Sequence, residues 1–153
     1  MNVSCNRTDY AGDFVDWGMN IIHSNLPNIW RTLSYEEWDY IVNQRQNAQN
    51  LYGMAAVNGV DGLILLPDDW VCPENITFIS GYSLVEKMTD YSSHQMFTLE
   101  QWHKLENLGA IFISAAGGRN ESGTHGYSYS GGYWCSSWDD EAKQMFFTFI
   151  RVS

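Results

Sequence analysis

Apolar positions along the chain follow two different periods. Trp38, Ile41, Val42 and Arg45 fall three and four residues apart, so one face of a helix packs inward there. Ser34-Tyr35-Glu36-Glu37 stands before that stripe as a capping box, in which the Ser hydroxyl and the Glu carboxylate each satisfy an orphan backbone N–H. The helix is expected over about 34–46. Thr98-Leu99-Glu100-Gln101 is a second capping signal, with Leu99, Trp102, Leu105 and Leu108 as the apolar face and Gly109 placed to end the helix.

Elsewhere the pattern is that of strands. Ala55 to Leu66 reads as two short strands joined by turn residues, and Pro67-Asp68-Asp69-Trp70 ends the second. A loop with irregular extended chain is expected from there to about Asp90. Ala110 to Ala115 is a buried strand. Tyr133 to Ser137 and Gln144 to Ile150 are the arms of a hairpin that turns at Trp138-Asp139-Asp140-Glu141. Residues 117–133 form a long loop with some strand. The first 30 residues are irregular, with Phe14, Val15, Trp17, Ile21, Ile22 and Trp30 as expected buried anchors. Two helices, several short strands and long loops make an α+β chain, and 153 residues make one domain, residues 1–153.

Composition narrows what those loops do. With 18 acidic and 8 basic residues the net charge is −10, which disfavours nucleic acid and anionic membrane surfaces as partners. No stretch reaches the 18 apolar residues of a membrane span, and Met1 to Arg7 holds no apolar signal core. Charged residues are only 17% of the chain, against about 25% in ordinary soluble domains. The 9 Tyr and 7 Trp, with many Ser, Gly and Asn, give the composition of recognition surfaces. Much of it is concentrated between Gly117 and Trp138, where Arg119 and Glu121 are the two charged residues.

Reactive chemistry is sparse. Cys5, Cys72 and Cys135 are widely spaced, form no metal motif, and are expected to be buried as small apolar residues. The four histidines lack zinc-ligand spacing, and no phosphate-binding loop, HExxH or Ser-His-Asp ordering is present. No cofactor is expected. Four N-x-[ST] sequons occur, at Asn2, Asn6, Asn75 and Asn120, and carry weight only in a secreted eukaryotic chain.

Five strings in order carry a resemblance. They are Asp16-Trp17-Gly18; Trp30-Arg31-Thr32-Leu33-Ser34 with Glu37, Trp38 and Tyr40; Tyr52 to Trp70; Gly109 to Gly117 with Arg119; and Gly132-Tyr133-Trp134-Cys135-Ser136-Ser137. Together, over about residues 14–150, they resemble the C-type-lectin-fold domains of surface proteins in gut Bacteroidetes. Those domains are relatives of the formylglycine-generating-enzyme fold. Similar domains are the variable proteins of diversity-generating retroelements, in bacteria and their phages. The resemblance implies a C-type-lectin-like fold and a place on a bacterial cell surface or a phage particle. The chain departs from the family at both ends, where further strands are usual: either the strands are shortened and merged or the sequence is a fragment. Cys135 stands where Ser is common.

Three functions compete. The first is a non-enzymatic module that binds a protein or glycan ligand on a cell surface, with an expected face of Arg119, Asn120, Thr124, His125, Tyr127, Tyr129, Tyr133, Cys135, Trp138 and Asp139. Tyr and Trp give contact area at low entropy cost, and Ser, Gly and Asn adapt their hydrogen bonds. In the retroelement proteins it resembles, adenine-directed diversification turns Asn codons into codons for Tyr, His, Ser, Asp, Thr, Gly or Cys, and these residue types fit. The second is calcium-dependent sugar binding, for which Pro73-Glu74-Asn75, Asp68-Asp69 and Trp138-Asp139-Asp140 supply imperfect triplets that read more simply as turn residues. The third is an enzyme of the formylglycine-generating type, which needs a reactive cysteine pair; Cys72 and Cys135 are too scattered to claim as one.

Overall fold

The computed structural model describes residues 16–21, 26–80, 95–120, 123–125, 130–136 and 146–150. The described chain is mixed α+β, built on a four-stranded sheet with a short helix on each face. In chain order its elements are α1 (Tyr35–Asp39), β1 (Tyr52–Val57), β2 (Val60–Leu65), β3 (Met96–Phe97), α2 (Leu99–Glu106), β4 (Ile111–Ser114), β5 (Gly118–Asn120), β6 (Gly123–His125), β7 (Ser130–Trp134) and β8 (Phe146–Ile150). The main sheet runs β3-β1-β2-β4; β5 pairs with β6, and β7 with β8.

The β1–β2 hairpin sets the centre. Its two-residue turn is Asn58-Gly59, with φ of 49° and 80°, and Val57 faces Val60 across it. Both turn residues lie in the left-handed region that a type I′ turn requires and that Asn-Gly adopts at low cost. The hairpin begins at Tyr52, three residues before the expected Ala55, because Gly53 tolerates close passage of Ile79. Side-chain alternation along β2 splits the core. Ile64 and Leu66 join Leu51, Ala55, Val57, Phe97, Trp102, Leu105 and Ala110 on the α2 face. Leu63 and Leu65 join Ile113 and Ala115 on the α1 face, against Trp38, Ile41, Val42, Tyr52, Met54 and Tyr133. The run Leu63-Ile64-Leu65-Leu66 is therefore apolar throughout because β2 is covered on both sides.

Both capping boxes form, through Ser34 with Glu37 and Thr98 with Gln101. The first helix is nevertheless shorter than the expected 34–46. After Asp39 it widens into a π turn over Tyr40–Gln44, closed by Arg45 N–H to Tyr40 O at 2.9 Å. Asp39 accepts from the side chains of Asn43 and Gln44, and these donors hold its carboxyl below the ordinary range. The wider turn delivers Arg45 into the interior, where its guanidinium donates to Ile41 O (2.6 Å), Leu66 O (2.9 Å), Leu51 O (3.1 Å) and Asp68 Oδ1 (3.2 Å).

In α2, Trp102 and Leu105 are buried while Leu99, and Leu108 in the turn beyond the helix, stay half exposed, so the apolar stripe is narrower than its spacing implies. Leu105 O receives Ala110 N–H and Glu106 O receives Gly109 N–H, a Schellman closure in which Gly109 takes φ 91°. The chain from Trp70 to Ile79 has no regular structure, but Trp70, Ile76 and Phe78 pack on the α2-face core. Phe78 stacks on Phe97 with ring centres 6.4 Å apart. Gln95 holds this segment down by exchanging hydrogen bonds with Ile79 N–H and C=O, both at 2.9 Å, while donating to Met54 O.

Of the six expected anchors in the first 30 residues, two are corrected. Ile21 is 70% exposed and Trp30 54% exposed. What fixes this part is polar: Asp16 accepts from Gly18 N–H and Thr32 N–H, each at 2.7 Å. Gly18 lies against the Trp30 carbonyl so closely that a Cβ would overlap it, 1.5 Å from the oxygen. Trp17 lies in a 3₁₀ turn, and Phe14, Val15 and Ile22 fall outside the described residues. Among the described residues no helix is long and apolar enough to cross a membrane.

Candidate recognition site

The expected recognition residues sort into three groups. Arg119, Asn120, Thr124 and His125 lie on the β5–β6 ribbon, where Arg119 is in register with Thr124, Asn120 with Gly123 and Gly118 with His125. Tyr127, Tyr129, Trp138 and Asp139 lie outside the described residues. Tyr133 and Cys135 belong to the stem beneath. The Tyr133 ring is half buried on the α1-face core, and its hydroxyl donates to Ser114 O at 2.6 Å. Cys135 is 0% exposed. A thiol enclosed that fully offers no surface to a macromolecular ligand, so Cys135 is placed in the core and away from any face.

The stem is where distant strings of the sequence meet. Gly117, just beyond β4, bridges in parallel to Gly131 in β7, and Gly132 N–H donates to Gly117 O at 3.2 Å. The chain between leaves and returns at one point, so residues 118–130 are bounded by a closed base. One step further, Ser136 N–H donates to Leu33 O at 2.9 Å. Leu33 lies between Thr32, held by Asp16, and Ser34, the cap of α1. The Asp-Trp-Gly string, the Trp-Arg-Thr-Leu-Ser string and the Tyr-Trp-Cys-Ser string thus form one continuous support. Sequence reasoning did not anticipate Ser114 or the Gly117–Gly131 bridge. The paired glycines, Gly117-Gly118 and Gly131-Gly132, were the available signal, since backbones approach closely only where side chains are absent.

Electrostatics concentrate in that support. Burial opposes ionisation of Asp16, but the Gly18 and Thr32 amides, the Thr32 side chain and the Arg31 charge outweigh it and lower its pKa. Arg31 grips Glu37 with both guanidinium nitrogens, and Ser34 N–H donates to the same carboxylate at 2.9 Å. The Arg31 bonds, then the Ser34 amide, bring Glu37 down to about 2.

Asp68-Asp69 and Glu74-Asn75 are turn residues, with Asp68 bonded to Arg45 and Asn75 at φ 65°. Trp138-Asp139-Asp140 falls outside the described residues. Among the described residues no group of three His, Cys, Asp or Glu is placed to hold a metal ion. Neither Cys72 nor Cys135 is in a disulfide; Cys72, expected to be buried, is exposed and donates to Ile76 O at 3.2 Å, because its segment is anchored by the aromatic and aliphatic residues around it. Cys5 lies outside the described residues.

Comparison with family models, with curated proteins and with solved structures returns no match.

Proposed function

We propose that the protein is a non-enzymatic recognition module with a C-type-lectin-like fold, whose ligand face is the segment between Gly117 and Gly131 together with Trp138 and Asp139. The observation that carries this reading is the closed glycine base. It bounds 13 residues that hold Arg119, Asn120, Thr124, His125, Tyr127 and Tyr129, and it anchors their return to a packed stem. A rigid stem beneath a segment rich in Tyr, Ser, Gly and Asn is the arrangement in which side chains can change without loss of the scaffold. The order of the five strings, and the meeting of three of them at Asp16–Thr32 and Leu33–Ser136, supports the likeness to retroelement-diversified surface or phage receptor-binding proteins. The ligand in this reading is a protein or glycan on a cell surface.

The test uses the fluorescently labelled chain on a glycan array and on intact Bacteroidetes cells, with and without EDTA. The reading expects capture that is insensitive to EDTA. It also expects capture to be lost in a Tyr127→Ala, Tyr129→Ala, Trp138→Ala variant whose melting temperature stays within about 2 °C of the parent, as for surface substitutions. Collapse of the melting transition in that variant would place those side chains in the core and overturn the assignment. Capture abolished by EDTA would favour the calcium-dependent alternative. A reverse-transcriptase gene beside this one, with a near-copy of its 3′ end differing at adenines, is the genomic signature the reading expects.

A further inference from the structure

We propose that Tyr133 is a positioning residue for the recognition segment, pinning its base to the edge of the central sheet through its phenolic hydroxyl. The inference rests on the reading of residues 118–130 as a ligand face. Both ends of that segment are glycine pairs, Gly117-Gly118 and Gly131-Gly132. Glycines permit the close parallel bridge, and Gly117 takes φ 72°, but they offer no side chain with which to hold it. The backbone rung across the bridge, Gly132 N–H to Gly117 O, is long at 3.2 Å. Tyr133 is the first residue after the return that carries a side chain.

Its ring packs against the α1-face core cluster, and its hydroxyl reaches Ser114 O at 2.6 Å. That carbonyl closes β4 and also accepts Ala116 N–H at 2.9 Å, in the turn that leads to Gly117. One oxygen therefore receives the donor that bends the outgoing chain and the donor that fixes the returning one. The phenol spends its only proton on the carbonyl, so the Ser114 hydroxyl, 3.4 Å away, contributes at most a weak donated bond. The short bond adds a directional tie to the packing of the ring and to the β7–β8 ladder, in which Tyr133 faces Phe147.

Tyr133→Phe keeps the ring and removes the pin. Amide hydrogen exchange by NMR then separates a local role from a general one. Gly132 N–H should exchange about tenfold faster in the variant, the effect of losing roughly one neutral hydrogen bond at the base. Leu66 N–H, bonded to Leu51 O in the α2-face core, should keep its parental rate. Ser114→Ala retains the carbonyl and should leave both amides unchanged. An unchanged Gly132 rate in Tyr133→Phe, or equal acceleration at Gly132 and Leu66, would overturn the proposal. On the glycan array and cells, Tyr133→Phe should keep the parental set of ligands with weaker capture. A changed set would make the hydroxyl a ligand contact and overturn it as well. A parent chain that captures neither glycans nor cells would remove the recognition reading, while the exchange rates still decide whether Tyr133 is the pin.

Discussion

Arg45 offers the sharpest test of the energetic reasoning, because two of its roles separate in magnitude. Its side chain is 7% exposed, whereas the carboxylate of its ionic partner Asp68 is 70% exposed. An ion pair with one partner so wet is worth about 0–1 kcal/mol. The main-chain bonds are different. Leu66 O and Leu51 O are interior acceptors, and the guanidinium ties the end of the π turn to both, at the open end of the β1–β2 hairpin where Leu66 N–H already donates to Leu51 O. Bonds to a charged donor contribute about 1.5–3 kcal/mol each, and truncation removes that donor from both oxygens, of which Leu51 O keeps the Leu66 N–H. Arg45→Ala should therefore cost about 3–5 kcal/mol, against under about 1 kcal/mol for Asp68→Ala. Urea unfolding followed by tryptophan fluorescence measures both. With a slope of about 2 kcal/mol/M, Arg45→Ala should lower the midpoint by about 2 M and Asp68→Ala by less than about 0.5 M. Equal shifts would show that the ion pair carries the interaction and would refute the carbonyl argument.

Three further expectations concern other parts of the scaffold. Glu37 has a depressed folded pKa of about 2 against an ordinary 4.5, so its contribution is complete above pH 4.5 and is lost as pH falls towards 2. The stability gap between parent and Glu37→Gln, read by chemical unfolding, should shrink steadily over that window and stay flat above it. Gly53→Ala would bring a Cβ to 2.4 Å from Ile79 O and 3.0 Å from Gln95 Nε2, so the 70–80 segment must shift; we expect a loss of about 1–3 kcal/mol by urea unfolding. In a Cys5→Ser background, a thiol reagent should modify Cys72 in the native protein and Cys135 only at the rate of unfolding, since one is exposed and the other enclosed.

What was legible in the sequence was whatever depends on neighbours in the chain. Ser34 and Thr98 each reach a backbone three residues on, so both capping boxes could be read directly. The β1–β2 hairpin followed from turn chemistry, and β8 lies within the expected arm 144–150, but its partner β7 is Ser130–Trp134 rather than the expected 133–137. The failures came from distant partners. The first helix was expected to continue because its spacing does, yet the Asp39 side-chain bonds and the long reach of Arg45 favour a wider turn. Strand β3 is two residues long and exists through its parallel pairing with Ala56 and Val57, which no local pattern announces. Trp30 looked like an anchor because it is large and apolar, but the Gly18 contact uses its carbonyl and leaves its ring half exposed. Within the candidate site, composition located residues 117–138 but could not separate stem from face. By residue type Tyr133 and Cys135 belong with the ribbon residues; packing divides them from these.

The most direct measurement is a surface-display library randomised at Arg119, Asn120, Thr124, His125, Tyr127 and Tyr129, sorted for resistance to protease. If these positions form an interchangeable face on an independent scaffold, most members should survive, while a parallel library at Leu63, Ile64, Leu105 and Cys135 should be almost wholly lost. Survival confined to near-parental sequences in the first library would contradict the reading of residues 118–130 as a recognition surface.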